Sequence, residues 1–188
     1  MGTFNVETEL SHKFVENYTT LMMVVTAYRA LNHTIVATIG SFDLLHIGHL
    51  RYLRQAGTFG SILVVGADTD EAIRLYKGPL RPIVPFRERV EMLTYQEGIN
   101  LVTGVPDVDS EGRWKYGLIK AIRPDVFVAV EGSYPPQQIR DIRRYCDKVK
   151  MLPRQAEDTS TSGFIEKTVK THLKDMKRLG KNTEKRKE

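Results

Sequence analysis

Two histidines three residues apart, His46 and His49, enclose a glycine, Gly48, just after a short apolar run. Residues three apart share a face of a helix, so one turn would bring both rings to the same side, and Gly48 carries no side chain to obstruct a ligand approaching the backbone. Together the two imidazoles can donate two hydrogen bonds to one anionic group. Elsewhere such a pair is often a surface pair or a chance metal site, so the surrounding chain decides its chemistry. Further along stand a flexible lysine, Lys77, suited to phosphates as a point charge, and an arginine, Arg89, suited to bidentate phosphate contacts.

The elements that must position these groups can be read from the hydrophobic pattern. Ile35 to Ile39 is β-branched and nearly continuous in its apolarity, as expected of a strand buried on both faces of a parallel sheet. Gly40 then allows a turn, and Leu44, Leu45, Ile47, Leu50 and Leu53 recur at helical spacing, with Arg51 and Arg54 on another side. The histidines therefore sit where a strand hands over to a helix. In an open α/β sheet that is the carboxyl end of a strand, where ligands bind, and a helix N-terminus there attracts phosphate.

Ahead of this stretch, the spacing of Phe14, Val15, Tyr18, Leu21, Met22, Val25, Tyr28 and Leu31 predicts an amphipathic helix over 11–31, packed on the sheet or on a second copy in a homodimer. The few residues before it read as disordered. After the helix that carries the histidines, Ile62 to Gly66 reads as a second buried strand, and Asp68-Thr69-Asp70 as the cap of a helix through Leu75. Residues 77–85 form a loop stiffened by Pro79, Pro82 and Pro85, with Lys77 and Arg81 as its charges. Helices follow over 86–95, 118–122 and 135–145, the last opened by proline, and strands over 101–103, 126–130 and 149–152. Thr159-Ser160-Thr161-Ser162 caps a final helix carrying Phe164, Ile165, Val169, Leu173 and Met176. Five strands alternating with helices predict a doubly wound parallel α/β sheet.

With 188 residues and 41% hydrophobic content, one domain over 34–170 is expected, between an N-terminal helical extension (1–33) and a basic tail (171–188). No apolar run reaches the ~18 residues of a membrane span, and no signal-peptide pattern opens the chain. A cytoplasmic protein without a membrane partner is expected. The lone Cys146 has no nearby histidine and reads as a packing residue. Much of the net charge of +5 lies after Phe164, in lysines and arginines from Lys167 to Lys187 without interleaved aromatics. A solvated helix face is the plainer reading than a nucleic-acid partner.

The segment Gly40-Ser41-Phe42-Asp43-Leu44-Leu45-His46-Ile47-Gly48-His49 resembles the strand-to-helix signature G-x-F-D-x-x-H-x-G-H of the cytidylyltransferase-like nucleotidyltransferase superfamily at every fixed position. Class I aminoacyl-tRNA synthetases share the His-Ile-Gly-His core but would need a downstream K-M-S-K-S loop, and none is present. The resemblance runs from about residue 34 to about 170. Asp70, Lys77 and Arg89 match the acidic residue, lysine and arginine of the family's middle segment, and Thr159 to Ser162 match its C-terminal S-T-S/T step. Arg154 resembles the arginine of that block in lipid-head-group cytidylyltransferases, and Glu131 and Gly132 fall in the place of a V-K-G-x-D-Y segment.

The resemblance implies a Rossmann-like fold and transfer of a nucleotidyl group from ATP or CTP, with Mg²⁺, to a phosphorylated sugar or polyol. It implies His46, His49 and Lys77 as catalytic, and Gly40, Ser41, Phe42, Asp43, Gly48, Arg89, Glu131, Gly132, Arg154, Thr159, Ser160, Thr161 and Ser162 as nucleotide-binding. Asp70 would serve the acceptor, and no protein metal ligand is implied. Among branches, the helix before the first strand and the runs Arg81 to Pro85 and Ile122 to Val126 look most like the adenylyltransferase acting on heptose 1-phosphate. Glycerol-phosphate and ethanolamine-phosphate cytidylyltransferases are close rivals. A non-catalytic nucleotide sensor and an RNA-binding protein using the basic tail are the other readings.

Overall fold

The apolar runs form a single parallel sheet: β1 (Ile35–Gly40), β2 (Ile62–Asp68), β3 (Leu101–Val105), β4 (Val126–Val130) and β5 (Lys148–Leu152), side by side in the order β3-β2-β1-β4-β5. These positions come from a computed structural model that describes residues 12–156 and 159–184, with side chains through residue 173. Ala37, at the centre of β1, pairs with Val64 on one side and Phe127 on the other, and all four strand pairings are parallel. β2 is buried along its whole length, whereas the edge strand β5 alternates Lys148 and Lys150 outward with Val149 and Met151 half-buried. A lysine-bearing edge discourages pairing with another chain.

Helices cover both faces, as a sheet of continuous apolar strands requires. They are α1 (Tyr18–Ala30), α2 (Ile47–Gly57), α3 (Asp70–Lys77), α4 (Phe86–Thr94), α5 (Gly117–Ile122), α6 (Pro136–Ile142) and α7 (Thr161–Glu184). One core layer joins Val36, Val65 and Val128 of the sheet to Leu53 and Ala56 of α2 and Val90 and Leu93 of α4. The other joins Ile35, Val64 and Phe127 to Leu21 and Val25 of α1, Leu118 and Ile122 of α5 and Ile142 of α6. The sheet is thus doubly wound and Rossmann-like. Its strand order reverses between β1 and β4, and a doubly wound sheet opens a ligand crevice where the order reverses.

Two local expectations are corrected. The helix expected over 11–31 is continuous only from Tyr18: Phe14 bridges Val102 in parallel, the Val15 N–H donates to the Val102 carbonyl at 2.8 Å, and Thr103 Oγ1 donates to the Val15 carbonyl at 2.7 Å. These two apolar residues fall on the helical spacing, yet they cover the edge of β3. The Asn17 side chain then caps α1 by accepting from the Thr20 N–H at 2.9 Å. With Leu21 and Val25 at 1% exposure or less, the helix spends its apolar stripe on the sheet.

The turn after β1 is made by Phe42, at φ 44°, rather than by Gly40. Gly40 is needed for space, since a Cβ there would lie 3.2 Å from the Phe42 ring. Within the expected Asp68-Thr69-Asp70 cap, Thr69 is the N-cap of α3, its Oγ1 accepting from the Ala72 N–H at 3.3 Å, while Asp68 closes β2. The residues before His12 and the tail side chains beyond residue 173 lie outside the described residues. Among those described, no helix is long and apolar enough to cross a membrane.

Candidate active site

His46 is the N-cap of α2, not a member of its first turn as the spacing suggests. Its backbone is extended (φ −140°, ψ 169°), and its Nδ1 accepts from the Gly48 N–H at 3.1 Å. A neutral ring whose Nδ1 accepts must carry its proton on Nε2, so a donor is left for a ligand. His49 stands in the first turn, and the rings stack with centroids 3.9 Å apart and 24° between planes. The edge of Phe42 supports His49 from behind, centroids 5.5 Å apart. A Cβ on Gly48 would lie 3.0 Å from the His46 ring and 3.1 Å from Ala156 Cβ, so a side chain there would press on the stacked ring.

Burial lowers the pKa of both rings. For His49, desolvation and then the charges of His46 and Lys77 bring it down to about 4, with the Leu44 carbonyl weakly opposing. Both are neutral at physiological pH. They offer directed N–H donors to an oxyanion rather than two cations.

Lys77 reaches this pair from the last residue of α3. Its Nζ donates to Ser41 Oγ at 2.7 Å and stands 5.5 Å from the centre of the Tyr76 ring. Burial and the Arg81 charge lower its pKa, against the pull of Asp68 and Asp43. On the opposite wall Ser160 Oγ accepts from the Gly163 N–H at 3.0 Å and caps α7, and the Phe164 ring lies 6.2 Å from His46. A helix head so capped presents hydroxyls and amides suited to phosphate.

These groups share one cleft of about 550 Å³, of a size to enclose a nucleotide. Of the expected residues, Gly40, Ser41, Phe42, His46, Gly48, His49, Lys77, Arg154 and Thr159 to Ser162 line it. Asp43, Asp70, Arg89, Glu131 and Gly132 are not part of that lining. Arg89 is fully buried behind it, with Nε on the Val84 carbonyl (2.9 Å), Nη1 on that of Ser41 (2.5 Å), and Nη2 on the Asp68 carbonyl (2.8 Å) and Asp70 Oδ1 (2.7 Å). Asp43, also fully buried, accepts from the Ile83 and Val84 N–H groups (2.8 and 2.9 Å) and from Arg81 Nε (2.6 Å). Both brace the strand ends and the 78–85 loop. Glu131 and Gly132 are exposed.

Among the lining residues that escaped the sequence reading as site residues are Asp68, Tyr76, Trp114 and Tyr134. A signal existed for Asp68, a carboxylate ending an otherwise apolar strand. Tyr76, Trp114 and Tyr134 come from three separate connections, so only the fold brings them together.

A parallel sheet with paired imidazoles, a lysine and a hydroxyl-capped helix around the crevice at its carboxyl edge defines a protein of the nucleotidyltransferase class. More narrowly, the chain belongs to the cytidylyltransferase-like family, whose model matches residues 37–177. Among relatives, the bifunctional protein HldE of Geotalea uraniireducens is 33% identical over 156 residues, covering 81% of this chain and 30% of that protein. HldE of Geobacter metallireducens is 30% identical over 175 residues, covering 92% and 34%. The chain thus spans about a third of the length of these relatives. A lipopolysaccharide core biosynthesis protein from Thermoplasma volcanium shares the fold at TM-score 0.55 and 21% identity, covering 67% of this chain and 99% of that one. Pantothenate synthetase from Thermus thermophilus does so at 0.55 and 15%, covering 75% and 61%.

Proposed function

We propose that this protein transfers a nucleotidyl group from ATP or CTP to a phosphorylated small molecule, a sugar 1-phosphate before a polyol or ethanolamine phosphate, and releases pyrophosphate. The observation that carries the reading is the stacked His46–His49 pair, neutral and capped so as to leave Nε2–H of His46 as a donor, in one cleft with Lys77. The likeness to HldE over most of this chain favours a sugar phosphate as acceptor.

In the step proposed, an acceptor phosphate oxygen attacks the α-phosphorus. The new P–O bond forms as the bond to the β-phosphate oxygen breaks, and the electron pair leaves with pyrophosphate. His46 and His49 donate to the oxygens that gain charge, and Lys77 neutralises it. Arg154 and the head of α7 hold the departing β- and γ-phosphates. Catalysis then rests on positioning and preorganised charge, with no covalent intermediate on the enzyme.

Among the described residues no group of three His, Cys, Asp or Glu could hold a metal ion. Mg²⁺ is expected to arrive with the nucleotide, since this ion is commonly held through substrate phosphates and its own waters. The ion would offset the charge of the triphosphate.

The test is pyrophosphate release with ATP and with CTP against a panel of aldose 1-phosphates, glycerol 3-phosphate and phosphoethanolamine. Release that depends on one nucleotide and on an aldose 1-phosphate is expected. Silence across the whole panel would refute the reading.

A further inference from the structure

One wall of the cleft is unsuited to phosphate. Asp68, at 1% exposure, lines it with a carboxyl whose Oδ2 accepts from the Tyr76 hydroxyl at 2.5 Å and whose Oδ1 has no hydrogen-bond partner. Beside it the rings of Tyr76 and Trp114 (centroids 5.9 Å apart) and of Trp114 and Tyr134 (6.2 Å) make a continuous wall, backed by Phe127 at 6.0 Å from Tyr134. A carboxylate repels a triphosphate, and a buried acceptor oxygen calls for a donor. Ring faces beside such an acceptor match a molecule with C–H groups on one face and hydroxyls at its edge.

An ammonium head group would also suit aromatic faces and a carboxylate. Here it would meet like charge. Lys77 Nζ already stands 5.5 Å from the Tyr76 ring centre, and Arg89 Nη2 is bound to the Asp68 carbonyl at 2.8 Å. A neutral polyhydroxyl group meets no such penalty. Asp70, the residue expected to serve the acceptor, is already paired with Arg89.

Building on the nucleotidyl-transfer reading, we propose that Asp68 is the residue that selects the acceptor. Its carboxyl, oriented by Tyr76, takes a hydrogen bond from a hydroxyl of the sugar while Trp114 and Tyr134 pack along the ring. The preference for a sugar phosphate over a simple alkyl phosphate then resides at the end of β2, apart from the phosphate-handling histidines.

The experiment compares wild type, Asp68→Ala, Asp68→Asn and Tyr76→Phe with aldose 1-phosphates and with ethyl phosphate, which lacks ring hydroxyls. In Asp68→Ala the ratio of kcat/KM for the sugar phosphate to that for ethyl phosphate should fall by roughly 10- to 100-fold, the size of a lost hydrogen bond to a charged group. Asp68→Asn keeps an acceptor oxygen and should recover most of the ratio. Tyr76→Phe, which only loosens the carboxyl, should raise the acceptor KM with little change in kcat. Trp114 is the sole tryptophan, so its fluorescence gives a readout independent of turnover. Titration with glucose 1-phosphate should show the same order of weakening.

An unchanged ratio in both folded Asp68 variants would overturn the proposal, and so would a loss confined to the nucleotide KM, which would assign the aromatic wall to the base. If wild type releases no pyrophosphate with any acceptor, the transferase reading fails. The fluorescence titration then still decides whether Asp68 holds a sugar phosphate.

Discussion

At the scale of single residues, the groups that line the cleft are distinct from the groups that hold them in place. His49→Ala removes one of two preorganised donors, and losing such a donor costs about 10²- to 10³-fold in turnover. The same loss is expected here in pyrophosphate release; because the ring also packs on His46 and Phe42, the melting temperature of the variant is measured alongside to separate a lost donor from lost packing. Arg89→Met should do the reverse. It strands Asp70 Oδ1 and three carbonyls in a buried site, so a loss of about 3–5 kcal/mol in denaturant unfolding is expected before any effect on chemistry is seen. The sequence makes the histidine pair legible because its spacing and its place after a strand match a recognisable signature. It does not show which way an arginine points. Arg89 reads as a phosphate ligand by residue type, yet its Nε, Nη1 and Nη2 all donate to the protein.

Among the elements, the 78–85 loop matters most to the site because it follows directly on Lys77. It is bound to the exit of β1 by Asp43, which takes two backbone N–H groups and Arg81. Asp43→Asn replaces one acceptor with a donor facing those groups. Hydrogen bonds to a charged group are worth about 1.5–3 kcal/mol. A stability loss of that order is expected in urea titration, together with a raised nucleotide KM because Lys77 loses its fixed approach. If nucleotide KM stays at the wild-type value while stability drops, the loop does not position Lys77. The strands were legible from β-branched runs such as Ile35 to Ile39, since a buried parallel strand has little choice of composition. Phe14 and Val15 were not, because two apolar residues satisfy a helical spacing and a strand edge equally well. Only β3, with its free edge, decides between them.

For the whole molecule, the cleft places two ionisable groups whose burial gives stability opposite slopes with pH. His49 falls to about 4 from an ordinary 6.5, so between those values the unfolded chain takes up a proton that the native ring refuses, and stability declines as pH drops. Asp68 is pushed up to about 6 from 3.8, chiefly by burial and against Tyr76, Lys77 and Arg89, with Asp107 adding to the rise. Between pH 6 and 3.8 the native state therefore holds a proton that the unfolded chain gives up, and stability grows as pH drops. The two windows overlap, and their effects largely cancel from about pH 6 to 4. Above pH 6 the charged Asp68 is a standing cost, as expected where a site trades stability for binding. Asp68→Asn removes that cost and leaves the His49 effect uncovered. The variant should be more stable than wild type by about 1–3 kcal/mol at pH 7.5, and should lose stability more steeply between pH 6.5 and 4. Thermal unfolding followed by circular dichroism across that range checks both. A variant that melts below wild type at pH 7.5 with an unchanged acid slope would mean that Asp68 is not held as a buried charge, leaving hydrogen bonding alone to account for its place in the cleft.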